Sequence, residues 1–213
     1  MAMSACTDSG SYSDFQLEAA VHDATLSLSI WGTIPSNDVG EFQFVVDAHT
    51  VSARFLGQTF PVELNAYRFP PGYYADVDLA APVADGEPID ITIERGTTSA
   101  VMTSAVPADF TIAPLSAQKI GKPVDITWSP TSDDRMSWAS SDCVMDESDG
   151  GVPTDAGMLE FPPIVFNPDN YSMCPDTIEL EMIRSRTTMP DTGFRYVTFT
   201  TKRQHTVDFT IAP

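Results

Sequence analysis

A repeated hexapeptide divides the chain into two modules. The six residues Asp109 to Pro114 return unchanged as Asp208 to Pro213. A short alternating segment that ends in tryptophan also occurs twice, at 26–31 and at 124–128. The two tryptophans are 97 positions apart and the two hexapeptides are 99 positions apart, so independent landmarks give nearly the same offset. This agreement predicts the duplication of a unit of about 100 residues.

The alternation of apolar and polar residues predicts an all-β chain. Segments 89–98 and 178–188 each combine an alternating strand with an arginine and a Thr-Thr pair, and no stretch has a helical apolar stripe. The 17 prolines and the many aspartates favour turns. We therefore expect a tether at 1–13 and two tandem β-sandwich domains at 14–108 and 109–213. Residues 109–114 could end the first module or begin the second, and the sequence does not decide between them.

The segment from Pro123 to Pro130, Pro-Val-Asp-Ile-Thr-Trp-Ser-Pro, resembles immunoglobulin-like and fibronectin-like modules of exported bacterial surface lipoproteins. Such modules often place a core tryptophan on an early strand and have about 100 residues. The resemblance covers the second module well and the first only loosely. It implies two tandem immunoglobulin-like β-sandwich domains and a location at the cell envelope, but it implies no particular activity.

The charge balance limits the classes of partner. The chain has 30 acidic and 11 basic residues, which gives a formal net charge of −19. Such a field repels nucleic acid phosphates and anionic lipid surfaces. We therefore expect no nucleic acid partner, and contact with a membrane only through a lipid anchor.

Cys6 is a candidate lipidation site. The preceding Met3-Ser4-Ala5 has the small-residue pattern that resembles the lipobox of bacterial lipoproteins. The alternative is an artificial start beside an ordinary exposed cysteine. If Cys6 is lipidated, the protein is exported to the bacterial outer membrane, the cell surface or the periplasm.

Cys143 and Cys174 form a candidate disulfide in the second module. An even pair of cysteines in an exported β domain is usually bonded. Metal binding is the alternative, but neither cysteine belongs to a C-x-x-C pair and no histidine is near in sequence.

An acidic stretch in the second module is a candidate calcium site. Clustered carboxylates in one long loop are relieved of their mutual repulsion by a divalent cation. The spacing does not fit the EF-hand loop, and a solvated acidic loop is the alternative reading. No cofactor is required, while Ca²⁺ is possible. The proposed ligands are Asp133, Asp134, Asp142, Asp146, Glu147 and Asp149.

Four aromatic residues surround a Pro-Pro-Gly turn in the first module and are candidate ligand contacts: Tyr67, Phe69, Tyr73 and Tyr74. Exposed on one face, such rings could stack on a sugar or anchor a protein. The alternative is that they pack the end of a sandwich.

Arg184 and Arg186 share one face of a predicted strand and could form a small positive strip for an acidic glycan. Pairing with the neighbouring Glu179 or Glu181 or with Asp residues is the favoured reading, given the excess of acid.

Catalytic motifs are missing from the sequence: there is no G-x-S-x-G, no H-E-x-x-H and no phosphate-binding loop. We therefore expect a non-catalytic surface protein that binds a protein or glycan at the cell envelope. The alternative is a structural subunit that assembles with its own copies by strand addition, through open sheet edges or residues 208–213. A hydrolase that uses a carboxylate pair is the least favoured reading.

Overall fold

The computed structural model describes residues 14–33, 50–65, 72–95, 97–115, 118–119, 122–140, 149–152, 155–161, 177–189 and 196–212. These ranges contain strands, turns and irregular segments, and no helix. The chain divides into two compact units: unit 1 comprises Met1–Val106 and Arg186–Lys202, and unit 2 comprises Pro107–Ser185 and Arg203–Pro213. The all-β fold predicted from the alternation is confirmed.

Unit 1 contains two sheets with an immunoglobulin-like strand order. One sheet has the order β1-β2-β6-β5, with residues 196–202 beside β1, and the other has the order β4-β3-β7-β8. These orders correspond to strands A-B-E-D and C′-C-F-G of an immunoglobulin-like sandwich. The strands are β1 (Asp14–His22), β2 (Thr25–Thr33), β3 (Thr50–Phe55), β4 (Gln58–Pro61), β5 (Glu63–Asn65), β6 (Gly72–Asp78), β7 (Pro88–Arg95) and β8 (Thr98–Ala105).

The inner faces of both sheets meet in one core. On β2, the alternate residues Leu26, Leu28 and Ile30 are buried, because successive side chains of a strand point to opposite faces. On β7 of the other sheet the isoleucines at 89, 91 and 93 are buried in the same cluster. Each such side chain contributes about 1.5–3 kcal/mol when it leaves water, so this shared core holds the two sheets together.

Unit 2 repeats the same plan. Its sheets have the orders β14-β11-β9 and β13-β12-β15-β16, which correspond to E-B-A and C′-C-F-G. The last two strands contribute residues to both units. The strands are β9 (Thr111–Ile112), β10 (Gln118–Lys119), β11 (Val124–Ser129), β12 (Arg135–Ser140), β13 (Asp149–Val152), β14 (Met158–Phe161), β15 (Thr177–Thr188) and β16 (Tyr196–Ala212).

The strand orders agree with the sequence repeat. The two tryptophan-ending segments are β2 and β11, which both occupy the B position, and the two segments with Thr-Thr pairs are β7 and β15, which both occupy the F position. The two hexapeptides differ in their pairing. The first supplies β9, which pairs with β11, whereas the second lies in β16, where Ile211 and Ala212 pair in parallel with β10.

The unit boundaries differ in part from the predicted ranges 14–108 and 109–213. The chain passes from unit 1 to unit 2 between Val106 and Pro107, so residues 109–114 belong to unit 2. Residues 186–202 were expected in the second sandwich but belong to unit 1, because β15 and β16 are long and β16 lies beside β1. The predicted tether at 1–13 lies outside the described residues.

Candidate functional site

The carboxylate of Asp155, which lies just before β14, accepts several hydrogen bonds within unit 2. Its side chain is completely shielded from solvent. Oδ1 accepts a hydrogen bond from Trp128 Nε1 at 2.5 Å, and Oδ2 accepts one from the Ser132 backbone N–H at 3.0 Å. Nη2 of Arg184 lies 2.5 Å from Oδ2. Three separate segments of unit 2 therefore converge on one carboxylate.

Arg184 on β15 is the other member of this buried pair, and it is 0% exposed. Nη1 donates hydrogen bonds to the carbonyl oxygens of Ala108 and Asp109, both at 3.0 Å, and Nη2 donates to the Pro130 carbonyl at 2.6 Å. The guanidinium carbon lies 4.8 Å from the centroid of the Phe110 ring, which is a cation–π distance. Nε has no hydrogen-bond partner among the described residues.

The Arg184–Asp155 pair joins segments of unit 2 and is closed to solutes. Both side chains are fully shielded, so neither can reach a substrate from solvent. Removing one charge of such a pair leaves the other buried and uncompensated, which is strongly destabilising. The geometry therefore assigns this pair to the framework of unit 2.

A second polar cluster reaches the surface of unit 2 around Asp109. His205 Nε2 lies 2.7 Å from Asp109 Oδ1, and Arg203 Nη1 lies 3.7 Å from Oδ2. Arg203 Nε also donates to the Pro107 carbonyl at 3.0 Å. The His205 ring meets the Phe110 ring edge-on at 4.7 Å. Alternate residues of β16 therefore hold the first residues of unit 2 in place.

The carboxyl group of Asp109 has a lowered pKa. Burial by itself would raise it, but the hydrogen bond with His205 and the Phe110 backbone N–H lower it, as do the charges of Arg203 and His205. The balance lies below the ordinary value of 3.8 because the neighbours favour the ionised form. Asp109 is 55% exposed, so the cluster is open to water.

The described residues do not assemble the predicted calcium ligands. Asp133 is exposed, whereas Asp134 is 5% exposed and its Oδ2 accepts a hydrogen bond from Ser132 Oγ at 3.2 Å. Within the described ranges, no three His, Cys, Asp or Glu residues are grouped so that they could hold a metal. Calcium binding stays a prediction, because the other candidates Asp142, Asp146 and Glu147 lie outside those ranges.

The acidic stretch was expected to be one long loop, but it contains paired strands. Asp149, the last proposed calcium ligand, begins β13, which pairs with β12. Gly150 lies directly opposite Trp138, and a Cβ added to it would meet the indole ring at 2.7 Å. The glycine is therefore needed for tryptophan packing, since a larger residue has no room beside the ring.

The aromatic candidates of unit 1 separate along the chain. Tyr73 is 4% exposed and belongs to the core of unit 1, while the adjacent Tyr74 is half-buried on the opposite face of β6. Tyr73 therefore packs the interior, and ligand contact is left to Tyr67, Phe69 and Tyr74. Of these, Tyr67 and Phe69 lie outside the described residues.

The candidate lipidation and disulfide sites also lie outside the described residues: Cys6, Cys143 and Cys174. Their modification stays a prediction. Within the described ranges, no helix has the length and apolar character to cross a membrane.

The suggested positive strip on β15 is wrong for Arg184. Arg184 points into unit 2 and pairs with Asp155. This agrees with the predicted pairing with an acidic residue, here an aspartate. The sequence does contain the signal for this. Leu180 and Met182 precede Arg184 at alternate positions and share its buried face.

β8 is an eight-residue strand at a sheet edge of unit 1. β8 is the last strand of its sheet, and among the described strands only β7 pairs with it. It has eight residues, Thr-Ser-Ala-Val-Met-Thr-Ser-Ala, with no charge and no proline. Val101 at its centre is 57% exposed. Unpaired N–H and C=O groups along such an edge can accept another strand.

The comparisons with known proteins assign the chain to no family. No protein-family model matches the chain, and no curated protein matches it. A titin fragment is similar over 93% of this chain and 96% of its own, at 15% identity and a TM-score of 0.25. Domains FN1 to FN3 of chicken CNTN1 are similar over 95% of this chain and 67% of their own, at 12% identity and a TM-score of 0.29. TM-scores this low carry no argument about the fold. The class of the protein, a tandem immunoglobulin-like β-sandwich, therefore rests on its own strand orders and cores.

Proposed function

We propose that this chain is a non-catalytic, exported protein of the bacterial cell envelope that binds a protein partner by strand addition to the outer edge of β8. The observation that carries this proposal is the uncharged eight-residue edge with exposed Val101 at its centre. An added strand gains main-chain hydrogen bonds along the edge, and its alternate side chains provide specificity.

The hydrogen-bond alternation shows which residues of β8 face outward. The Val106 N–H donates to the Glu87 carbonyl at 2.9 Å, and the Val106 carbonyl accepts from the Gly86 N–H at 3.0 Å, so Val106 occupies the position of a hydrogen-bonded pair at the end of the β7–β8 ladder. Because such pairs alternate in antiparallel strands, Ser99, Val101 and Thr103 direct their N–H and C=O groups away from β7. The Ala105 carbonyl, next in this series, accepts a hydrogen bond from Thr201 Oγ1 at 2.7 Å.

Two other edge strands of unit 1, β4 and β5, are protected. β4 at the opposite edge of the same sheet has four residues and ends in Pro61, and β5 has three residues. Natural sheets commonly avoid edge-to-edge association through short strands, charges and prolines. Since β8 has none of these protections, it is better suited to a partner than β4 or β5.

The envelope location is part of the proposal and is supported by the sequence alone. The lipobox-like residues before Cys6 support lipidation, and the pair Cys143 and Cys174 supports an oxidising compartment. Calcium binding in the acidic segment and ligand contact by Tyr67, Phe69 and Tyr74 are secondary proposals that the sequence alone supports.

Self-assembly through the same edge is the second candidate, because two copies of β8 could pair with each other. The terminal residues 208–213 are a weaker route, since Ile211 and Ala212 already pair with β10. Sedimentation equilibrium over a range of protein concentrations separates the candidates: a monomer at all concentrations supports a different partner, and a concentration-dependent dimer supports self-pairing.

The experiment compares two lysine variants as immobilised baits for an envelope extract of the source organism. Val101→Lys places a charge on the outer edge of β8, and Thr127→Lys places the same charge at an exposed position of β11, which lies between β9 and β14. We expect a protein retained by the wild type and by Thr127→Lys to be lost from Val101→Lys. Equal retention by all three, or no retained protein with Val101 intact, overturns the assignment of β8.

A further inference from the structure

The exposed face of the β7–β8 pair constrains which strand can pair with the outer edge of β8. This inference rests on the proposed function. Val101 lies opposite Thr92 of β7 and is 57% exposed. A side chain directly opposite Val101 on an added strand would lie within contact distance, since cross-strand Cβ atoms are about 4.5–5.5 Å apart. An aliphatic residue there would cover the exposed valine.

Glu94 determines which residue of an added strand is suited to the position opposite Ser99. It lies on β7 directly opposite Ser99, and both residues are exposed. Neighbouring strands are about 4.8 Å apart, so Glu94 would lie about 10 Å from the backbone of an added strand, with only the small Ser99 side chain between them. Lysine and arginine are long enough to cross this gap, and an acidic residue opposite Ser99 would be repelled.

Asp90, at the other end of the edge, does not favour a basic residue on an added strand. Its Oδ1 accepts a hydrogen bond from Thr103 Oγ1 at 2.7 Å, and Arg54 of β3 lies opposite it on the other side. The position facing Thr103 is therefore suited to a neutral polar residue. The selectivity of the edge comes from Glu94 and Val101.

The charge of the whole chain acts in the same direction. Residues 1–108 contain 14 acidic and 3 basic residues, within a chain of net charge −19. A field of this sign accelerates the approach of basic partners and slows that of acidic ones, including second copies of this chain.

We infer that the outer edge of β8 pairs with an extended segment of a basic protein that has lysine or arginine opposite Ser99 and an aliphatic residue opposite Val101. Glu94 is then a specificity-determining residue, since it distinguishes basic from acidic strands. The backbone of Ser99, Val101 and Thr103 supplies hydrogen bonds to either kind.

The test uses nine-residue peptides of alternating threonine and serine with a central Val-Thr-Lys or Lys-Thr-Val, for antiparallel and parallel pairing. Matched peptides have glutamate in place of lysine. Affinity is measured by fluorescence anisotropy at low ionic strength, and amide protection at Ser99, Val101 and Thr103 by NMR. We expect one lysine peptide to bind about tenfold more tightly than its glutamate counterpart. The difference should shrink with Glu94→Gln and persist with Glu160→Gln, which removes an exposed acid from β14.

The outcomes separate this inference from the proposed function. If lysine and glutamate peptides protect the same three amides with equal affinity, the edge accepts strands but the preference for a basic partner is overturned. A preference that survives Glu94→Gln overturns the role of Glu94. If none of the peptides protects these amides, strand addition at β8 is overturned together with the inference.

Discussion

Arg184 and Asp155 form an ion pair at 2.5 Å in which both side chains are completely shielded from solvent. They are 29 positions apart in the sequence. Three backbone carbonyls complete the surroundings of Arg184, and Trp128 and Ser132 complete those of Asp155. A buried pair of this kind costs desolvation on both sides, so its contribution depends on this complete set of partners.

Asp155→Asn is expected to lower the free energy of unfolding of unit 2 by about 3–5 kcal/mol, because it leaves the Arg184 charge buried without a counter-charge. Urea denaturation followed by tryptophan fluorescence measures this, since Trp128 and Trp138 both lie in the core of unit 2. Glu160→Gln, at an exposed position, is the control and should change stability by less than about 0.5 kcal/mol. If the two variants are equally stable, the pair does not hold unit 2 together.

Gly150→Ala is expected to destabilise unit 2 by about 1–3 kcal/mol, because the added Cβ would lie 2.7 Å from the Trp138 ring. Gly151→Ala is the matched control: its Cβ would meet the Met136 carbonyl oxygen at 3.3 Å, a milder contact, and should cost less. The thermal midpoint and the near-UV circular dichroism of the tryptophans report both changes. An equal effect of the two alanines would show that the Trp138 ring moves aside.

The architecture was largely predictable because it depends on local patterns. Period-two alternation indicated an all-β chain, and the repeat of β2 in β11 and of β7 in β15 indicated two similar sandwiches. The extension of residues 186–202 into unit 1 was not predictable, since it depends on which strand lies beside β1. Alternation defines the faces of a strand but says little about its neighbours.

The polar sites were less predictable because they depend on distant partners. Asp155 was one acid among many in an acidic stretch, and only the folded chain brings it to Arg184. Tyr73 and Tyr74 are adjacent in a cluster of aromatic residues, yet one is in the core and the other is half-buried on the opposite face. The edge position of β8 likewise follows from sheet order, which a single strand does not encode.

The predicted disulfide can be tested by alkylation of the three cysteines under denaturing conditions. If Cys143 and Cys174 are bonded, neither should react before reduction and both should react afterwards, with peptide mapping to identify the sites. Cys6 is a free thiol only in protein that has not been lipidated, so its reaction is not part of the test. Cys143→Ser is the control and should free Cys174 for alkylation. Reaction of Cys143 and Cys174 without reductant, in protein isolated from the envelope, would contradict the prediction.

The lowered pKa of Asp109 predicts a loss of stability in acid. Burial opposes the ionised form, but the hydrogen bond with His205 and the other favourable contacts outweigh it. A carboxyl whose folded pKa is depressed stabilises the fold above its unfolded pKa of about 3.9, and this stabilisation is lost as the pH falls through the folded pKa.

The thermal midpoint of the wild type should therefore exceed that of Asp109→Asn at about pH 5, and the two should converge toward about pH 2. His205→Gln should reduce the difference, because it removes the imidazole 2.7 Å from Asp109 Oδ1 while leaving the Phe110 N–H and Arg203 in place. A constant difference between wild type and Asp109→Asn across this range would mean that the Asp109 charge does not stabilise unit 2.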